Sequence, residues 1–384
     1  MGELDTGTHA KIIEAAVTLF ASRWYSSVSV AEICRAANVS NGIFYKYFLN
    51  KEMIVRTILE DVIAKIDAAL GAVRGETLYD RVSSMIEILL EFSSSNPALV
   101  TIFREGQYRY FDYERRLKEI YKNALSRVLG RTADLSEFLY AINGIRFAVD
   151  RAALQGARVS IAALADITTN GAFRRLSWDS DKIFSISISQ PAINIGKTSR
   201  ERLMYAGKLL FGEKGFHAVN IHEITDAAGL SVGSFYKHFD SKESFFSEQI
   251  SAAGHEIRRF IAMNLRHGLN RLEVEMQGMY LFGLYLSLDH CCYNITREGE
   301  IVSPATVEDY YLAFRRGFHK MGGDGLDADS IANDSDYIDS AIEFFMGISH
   351  YYGMVVALDK SPYNARAIVE GVGDCLVKGL SGRG

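Results

Sequence analysis

The sequence predicts an all-α fold, built twice over in one chain, and three observations carry that expectation. Only 4 prolines interrupt 384 residues. Apolar residues recur at spacings of three and four along most of the chain, the period of helices with one buried face. Residues 28–52, VSVAEICRAANVSNGIFYKYFLNKE, return at 219–243 as VNIHEITDAAGLSVGSFYKHFDSKE, with thirteen of twenty-five positions identical at a constant offset of 191. A repeat of that quality is a duplication, and it decides the architecture.

Composition sets the outer bounds. With 48% hydrophobic and 23% charged residues and a net charge of −5, the chain reads as ordered and globular. Its length calls for two or more domains at about 100–200 residues each, so disorder and small disulfide scaffolds are excluded. Cys34, Cys291, Cys292 and Cys375 form no C-x-x-C pair and no Cys/His cluster with metal spacing, so buried thiols are expected, with no metal and no cofactor. No run approaches about 18 uninterrupted apolar residues, and MGELDTGTHAK lacks the layout of a secretory leader. A cytoplasmic protein with no membrane partner is the expectation.

The elements follow in order. Ile12, Ala16, Leu19 and Phe20 form one stripe, echoed by Leu203, Gly207, Leu210 and Phe211, and these predict the first helix of each copy. Ser29-x-x-Glu32 and Asn220-x-x-Glu223 start a second helix, the Ser-led version being a strict capping box. That helix turns Val30, Ile33 and Ala37 inward and ends at Asn38 in one copy and Gly229 in the other. Both residues tolerate the left-handed backbone, so the exchange preserves a tight turn. Ser40 and Ser231 then cap a short third helix whose Phe44 and Phe48, or Phe235 and Phe239, point to the core. Gly42, Tyr45 and Lys46 face out in the first copy, and Gly233, Tyr236 and Lys237 in the second, with Asn41 or Val232 leading. Two short helices joined by a tight turn, the second capped and outwardly small, aromatic and basic, describe a helix-turn-helix with its recognition helix.

The run from Ala36 through Asn-Val-Ser-x-Gly-x-Phe-Tyr-x-x-Phe-x-x-Lys-Glu, repeated from Ala227, resembles the TetR-type transcriptional regulators. The resemblance implies a chain like two such subunits fused: heads at 9–57 and 200–248, helical ligand-binding and dimerisation domains at 58–180 and 249–384, and a linker at 181–199 with the boundary near Pro191. By position in the family motif, base-edge contacts fall on Asn41, Gly42 and Ile43, and on Val232, Gly233 and Ser234. Tyr45, Lys46, Tyr47 and Lys51, with Tyr236, Lys237, His238 and Lys242, are expected to meet phosphates and sugars, and the cap residues Ser29, Ser40 and Ser231 and nearby His222 join the set. Glycine admits the backbone to a groove, lysine neutralises phosphate, and a helix N-terminus favours an anion. Asn41 can read an adenine edge whereas Val232 offers only an apolar contact, so two unlike half-sites and an asymmetric double-stranded DNA operator are expected. Against this, residues 1–60 carry six Lys/Arg and six Asp/Glu, and residues 191–250 seven of each. Neither head is net basic, and placement must serve instead: Lys197, Arg200 and Arg202 cluster before the second head.

Behind the heads the resemblance implies an effector pocket lined by aromatics. Candidates are Phe103, Tyr108, Tyr110, Phe111, Tyr140 and Phe147, then Tyr285, Tyr293, Tyr311, Phe314, Phe345 and Tyr351, with Arg146, Asp150, His290 and His350 as polar anchors. Arg104-Glu105-Gly106 recurs as Arg297-Glu298-Gly299, a weaker echo of the duplication. The helices at 136–156, 160–177, 336–358 and 364–380 are expected to form a four-helix bundle joining the halves as an intramolecular pseudo-dimer. A further homodimer stays open.

No enzyme is expected. Gly229-Leu-Ser231-Val-Gly233 matches a nucleophile elbow in letters only, because that elbow needs a strand before the serine. His222-Glu223 and His255-Glu256 both lack the second histidine of a zinc motif. Two readings remain: a ligand-responsive repressor of transcription, and a ligand-binding or interaction module of the same fold that no longer binds DNA.

Overall fold

The computed structural model describes residues 6–23, 25–190, 196–320, 326, 335–358 and 364–383, and among them every regular element is helical. The chain divides into two compact units. The first comprises Met1–Ala133 and Ala148–Ile161, the second Asp134–Phe147 and Ala162–Gly384.

The first unit opens with α1 (Thr6–Ser22), a 3-10 turn (Tyr25–Ser27), α2 (Val30–Ala36) and α3 (Asn41–Tyr47). Ile12, Ala16, Phe20, Ile33, Phe44 and Phe48 are all buried and make the small core of this head, while Leu19 and Val30 are half-buried. Behind it pack α4 (Lys51–Leu70), α5 (Leu78–Ser95), α6 (Pro97–Arg109) and α7 (Phe111–Leu129), with Val62, Met85, Leu89 and Leu117 between them.

The second unit starts with α8 (Leu135–Glu137), which passes through a π turn (Phe138–Ile142) into α9 (Asn143–Gln155), whose residues to Phe147 belong here, and continues with α10 (Ile161–Asn170) and α11 (Ser180–Phe184). The second head follows as α12 (Ser199–Lys214), a 3-10 turn (Phe216–Ala218), α13 (Ile221–Ala228) and α14 (Val232–Tyr236). Then come α15 (Lys242–Asn264), α16 (Arg271–Leu288), α17 (His290–Val302), α18 (Pro304–Lys320), α19 (Ser335–Leu358) and α20 (Ala365–Lys378). Helix α19 is apolar over a bilayer's length, yet 67% of that stretch is buried inside the unit, as in a core helix.

Both halves of the sequence supply this second unit, and where they meet the contacts are reciprocal. The Phe173 N–H donates to the Leu376 carbonyl at 2.9 Å, and the Leu380 N–H donates to the Thr168 carbonyl at 3.0 Å. The Tyr140 and Phe344 rings meet edge to face at 5.1 Å. A Cβ on Gly347 would lie 2.6 Å from the Asn143 carbonyl, so glycine is what lets these helices cross at backbone distance. Patches that answer each other in this way are the mark of an isologous contact, here made within one chain.

The helix expected over 160–177 stops at Asn170, because Gly171 takes a left-handed backbone (φ 87) and the chain turns to pair with the end of α20. Pro191 lies outside the described residues. The first part of the expected linker is held in place: Ile183 is buried, Gln277 donates to the Lys182 and Ile183 carbonyls at 3.1 and 2.9 Å, and the Ser189 N–H donates to Asn264 Oδ1 at 2.7 Å.

Candidate nucleic-acid interface and ligand cavity

The two heads repeat the same capping and turn chemistry, in places with different side chains. Ser29 accepts from the Glu32 N–H at 3.2 Å while Glu32 accepts from the Ser29 N–H at 2.8 Å. Asn220 and Glu223 make the same reciprocal pair at 3.0 and 2.9 Å, so the asparagine version also closes a full capping box. Arg23 and Lys214 bind these glutamates at 2.9 and 3.0 Å. Those bonds, with the serine and backbone donors first, hold Glu32 down to about 2, and Asn220 first, then Lys214, lowers Glu223. Asn38 (φ 55) and Gly229 (φ 62) both adopt the left-handed backbone, and the Val39 and Leu230 N–H groups close the turn on the Cys34 and Thr225 carbonyls at 2.9 and 2.8 Å.

Ser40 and Ser231 cap the recognition helices by accepting from the Ile43 and Ser234 N–H groups, each at 3.3 Å. Tyr45 is 56% exposed and Tyr236 55%, and Asn41, Gly42, Lys46, Gly233, Lys237 and His238 are exposed beside them. Ile43, Tyr47, Val232 and Ser234 are half-buried on the same short helices. His222 is exposed on α13, and the Ser29 hydroxyl is engaged with Glu32. Gly42 and Gly233 have no role inside the protein. A Cβ on either would find as nearest neighbour only the cap hydroxyl, Ser40 Oγ at 3.9 Å or Ser231 Oγ at 3.8 Å. A glycine in a helix costs about 0.5–1 kcal/mol relative to alanine, and no contact in either head offsets that.

Two of the expected phosphate ligands are occupied elsewhere. The Lys51 ammonium donates to the Tyr25 and Val28 carbonyls at 2.6 and 2.7 Å and lies 4.1 Å over the Tyr25 ring. Lys242 repeats this with the Phe216 and Val219 carbonyls at 3.1 and 3.0 Å and the Phe216 ring at 4.1 Å. Each lysine ties the start of its long helix to the 3-10 turn of its head, and burial lowers the Lys51 ammonium below its ordinary value. In the second head's cluster Arg200 pairs with Glu248, and Arg202 donates to the Ala228 and Gly229 carbonyls, steadying the turn. Lys197 remains exposed.

The repeated Arg-Glu-Gly marks residues whose role spacing did not reveal. Glu105 on α6 accepts from the Tyr25 N–H at 3.0 Å, and Glu298 on α17 accepts from the Phe216 N–H at 2.7 Å. Each is a buried carboxylate from the domain behind, capping the 3-10 turn of its head. On α17, Asn294 also donates to the Gly212 carbonyl of α12 at 2.8 Å.

With this geometry in view, the comparisons are decisive. Residues 12–58 and 203–248 each match the bacterial regulatory proteins of the tetR family. The chain carries a TetR-type head at each of these two regions. Its two TetR-type heads mark two tandem units. It is 38% identical over 80 residues to YdgC, an uncharacterised HTH-type transcriptional regulator of Bacillus subtilis (strain 168), a stretch of 21% of this chain and 41% of that protein. It is 46% identical over 54 residues to the HTH-type transcriptional repressor KstR2 of Rhodococcus jostii (strain RHA1), covering 14% of this chain and 26% of the repressor. The chain therefore spans less than half the length of either relative. A transcriptional regulator of Aquifex aeolicus VF5 superposes over 47% of this chain and 98% of its own with 20% identity and a TM-score of 0.33.

In the second TetR-type unit, helices α15 to α19 enclose a cavity of about 340 Å³. Of the expected ligand residues, Tyr293, Tyr311, Phe314 and His350 line it. The Tyr311 hydroxyl donates to Glu300 at 2.7 Å and lies 3.3 Å from His350 Nδ1. The others sit apart from that cavity. Tyr140 donates to the Ile167 carbonyl at 2.5 Å, Phe147 packs on Tyr311 and His350, Phe345 stacks on Phe173, and Tyr285 donates to Glu256 at 3.0 Å. Arg146 lies over the Tyr351 ring, Asp150 accepts from Ser93 at 2.7 Å, and His290 is exposed at the start of α17. In the first unit Phe103, Tyr110 and Phe111 are packed on or beside α6 and Tyr108 is half-buried. Cavity residues that sequence reasoning missed include Arg258, Glu275, Phe282, Arg297, Glu300 and Phe318. Nothing in His-Glu-Ile-Arg-Arg-Phe distinguishes Arg258 from a solvated face. Burial pushes the Glu275 carboxyl up to about 7, against the pull of Arg271 at 2.7 Å.

Glu256, Asp289 and Cys292 cluster within 4.8 Å. The Lys208 ammonium sits among them, 2.7 Å from Glu256 and 2.5 Å from Asp289, so the charge is balanced by an ion pair between α12 and the helices behind the head.

Proposed function

We propose that this chain is a ligand-responsive transcriptional regulator, a repressor, whose two unlike recognition helices read an asymmetric operator. The observation that carries this reading is the outward face of α3 and α14. Gly42, Tyr45 and Lys46, and Gly233, Tyr236 and Lys237, are exposed and repeated in both copies; the glycines serve no packing need, and the tyrosines touch the core only by an edge contact with Phe44 and Phe235. Such a face suits a groove: backbone approach at glycine, aromatic and lysine contacts to sugar and phosphate, and the helix N-terminus toward an anion. Two heads in one chain free the operator from the palindrome that a symmetric homodimer requires. KstR2 is named a repressor, which favours that sign of regulation.

The cavity in the second unit is the proposed effector site. Helix α17 lines it with Tyr293, Thr296 and Arg297, and also carries Glu298 and Asn294 to the second head. An effector that prefers a shifted α17 would move the head with it, and a coupling of about 1–3 kcal/mol is enough to alter DNA affinity 5–150-fold.

Selection of bound sequences from random DNA by the purified chain tests the reading, repeated with Tyr45→Ala and Tyr236→Ala. The expected result is one enriched non-palindromic site whose halves disappear separately in the two variants. The balanced charge of both heads favours the other reading, a module that has left DNA. Absence of any enrichment at low salt from folded protein, with and without candidate effectors, would establish that module instead.

A further inference from the structure

The structure assigns a ligand class to the cavity of the second unit: an amphipathic carboxylate, its apolar body in the cavity and its carboxylate held by Arg258. This rests on reading the cavity as the effector site.

Arg258 projects from α15 into the lining, and its Nη1 is buried with no hydrogen-bond partner. The guanidinium faces rings: Phe314 lies 5.5 Å from its centre, and Tyr310 is its electrostatic neighbour. Among the described residues no carboxylate pairs with it, and burial lowers it from its ordinary value. Two other partly buried arginines of this unit are treated differently. Arg271 has Glu275 at 2.7 Å, and Arg315 has Glu343 at 3.3 Å and Asp339 at 3.7 Å. The acids of the cavity are committed, Glu275 to Arg271 and Glu300 to the Tyr311 hydroxyl. Taking a charge from water without a partner is costly, and a guanidinium fork matches a carboxylate with two parallel hydrogen bonds. Most of the remaining lining, with Ile261, Val274, Phe282 and Phe318, is apolar, while Thr296, Arg297, Ser349 and His350 add polar groups beside it. At roughly 30 Å³ for each water-sized group, 340 Å³ has room for about eleven non-hydrogen atoms. A ten-carbon acid meets all three demands of charge, polarity and size. A neutral or cationic body of that size would leave Arg258 as it is.

The test is titration calorimetry of the full chain with decanoate, 1-decanol and decylamine, on the native protein and on Arg258→Gln and Arg258→Lys, each checked for folding by its thermal melt. Decanoate should bind about tenfold or more tighter than decanol, the scale of a charge-assisted hydrogen bond. Arg258→Gln should erase that preference while leaving decanol binding unchanged, and Arg258→Lys should retain part of it. Decanol or decylamine binding as tightly as decanoate, or an Arg258→Gln protein that keeps the preference, would overturn the assignment. DNA binding is measured on the same samples by fluorescence anisotropy. A protein that binds its selected DNA site but none of the three probes overturns the ligand class and leaves the regulator; one that binds decanoate through Arg258 but selects no DNA upholds the ligand class and removes the regulator.

Discussion

Replacing Gly42 and Gly233 with alanine separates the needs of the fold from the needs of a DNA interface. In both heads the added methyl group enters open space, its nearest neighbour a cap hydroxyl 3.9 or 3.8 Å away, and neither glycine has a positive φ. Alanine restores helix propensity, worth about 0.5–1 kcal/mol in an interior position and toward the lower end in a first turn. For a cooperative unit of about 150–250 residues each kilocalorie raises Tm by about 2–4 °C, so each variant should melt 1–3 °C or so higher. On DNA the same methyl group stands between the helix backbone and the groove wall. A loss of about 1–3 kcal/mol per head is expected, roughly a 5- to 150-fold rise in Kd. Calorimetric melting and fluorescence anisotropy on the selected site measure the two sides. A higher Tm with unchanged Kd would refute the placement of these glycines at the groove. A lower Tm would refute the claim that the fold has no use for them.

The two pairs of lysines should behave oppositely. Lys46→Ala and Lys237→Ala should each lower the salt slope of DNA binding by about one unit with base preference and Tm unchanged. Lys51→Ala and Lys242→Ala, which strip two backbone carbonyls each of their donor, should destabilise the head by about 1–3 kcal/mol in denaturant melts, and an unchanged midpoint would contradict their assignment as structural ties. Glu298→Ala leaves the buried Phe216 N–H without its acceptor, so hydrogen exchange in the 3-10 turn Phe216–Ala218 should accelerate and stability should fall by about 1–3 kcal/mol; exchange at the native rate would show that the carboxylate does not hold the turn.

Much of each head was legible because its determinants are local. A capping side chain, a left-handed residue after the second helix and two phenylalanines four apart act within a few residues of themselves, and the repeat supplied a second, independent copy of every one. Asn38 and Gly229 differ in side chain and share a backbone requirement, which the structure meets at φ 55 and 62. The resemblance of the motif carried the family, and the two matching regions fall where the repeat lies.

What the tertiary structure decided concerns partners distant in sequence. Lys51 and Lys46 look alike as letters, yet one ammonium is tied to carbonyls 26 and 23 residues away and the other is exposed. Glu105 and Glu298 show themselves as an echo in the sequence and acquire a role only when the chain brings them to turns 80 and 82 residues earlier. Most of the aromatic residues considered for a ligand pocket pack elsewhere, while Arg258 faces the cavity without a counter-charge, because cavities are left between helices that meet from far apart in the chain. Local backbone requirements are written in neighbouring residues; the state of a charge is settled only by what the fold places beside it.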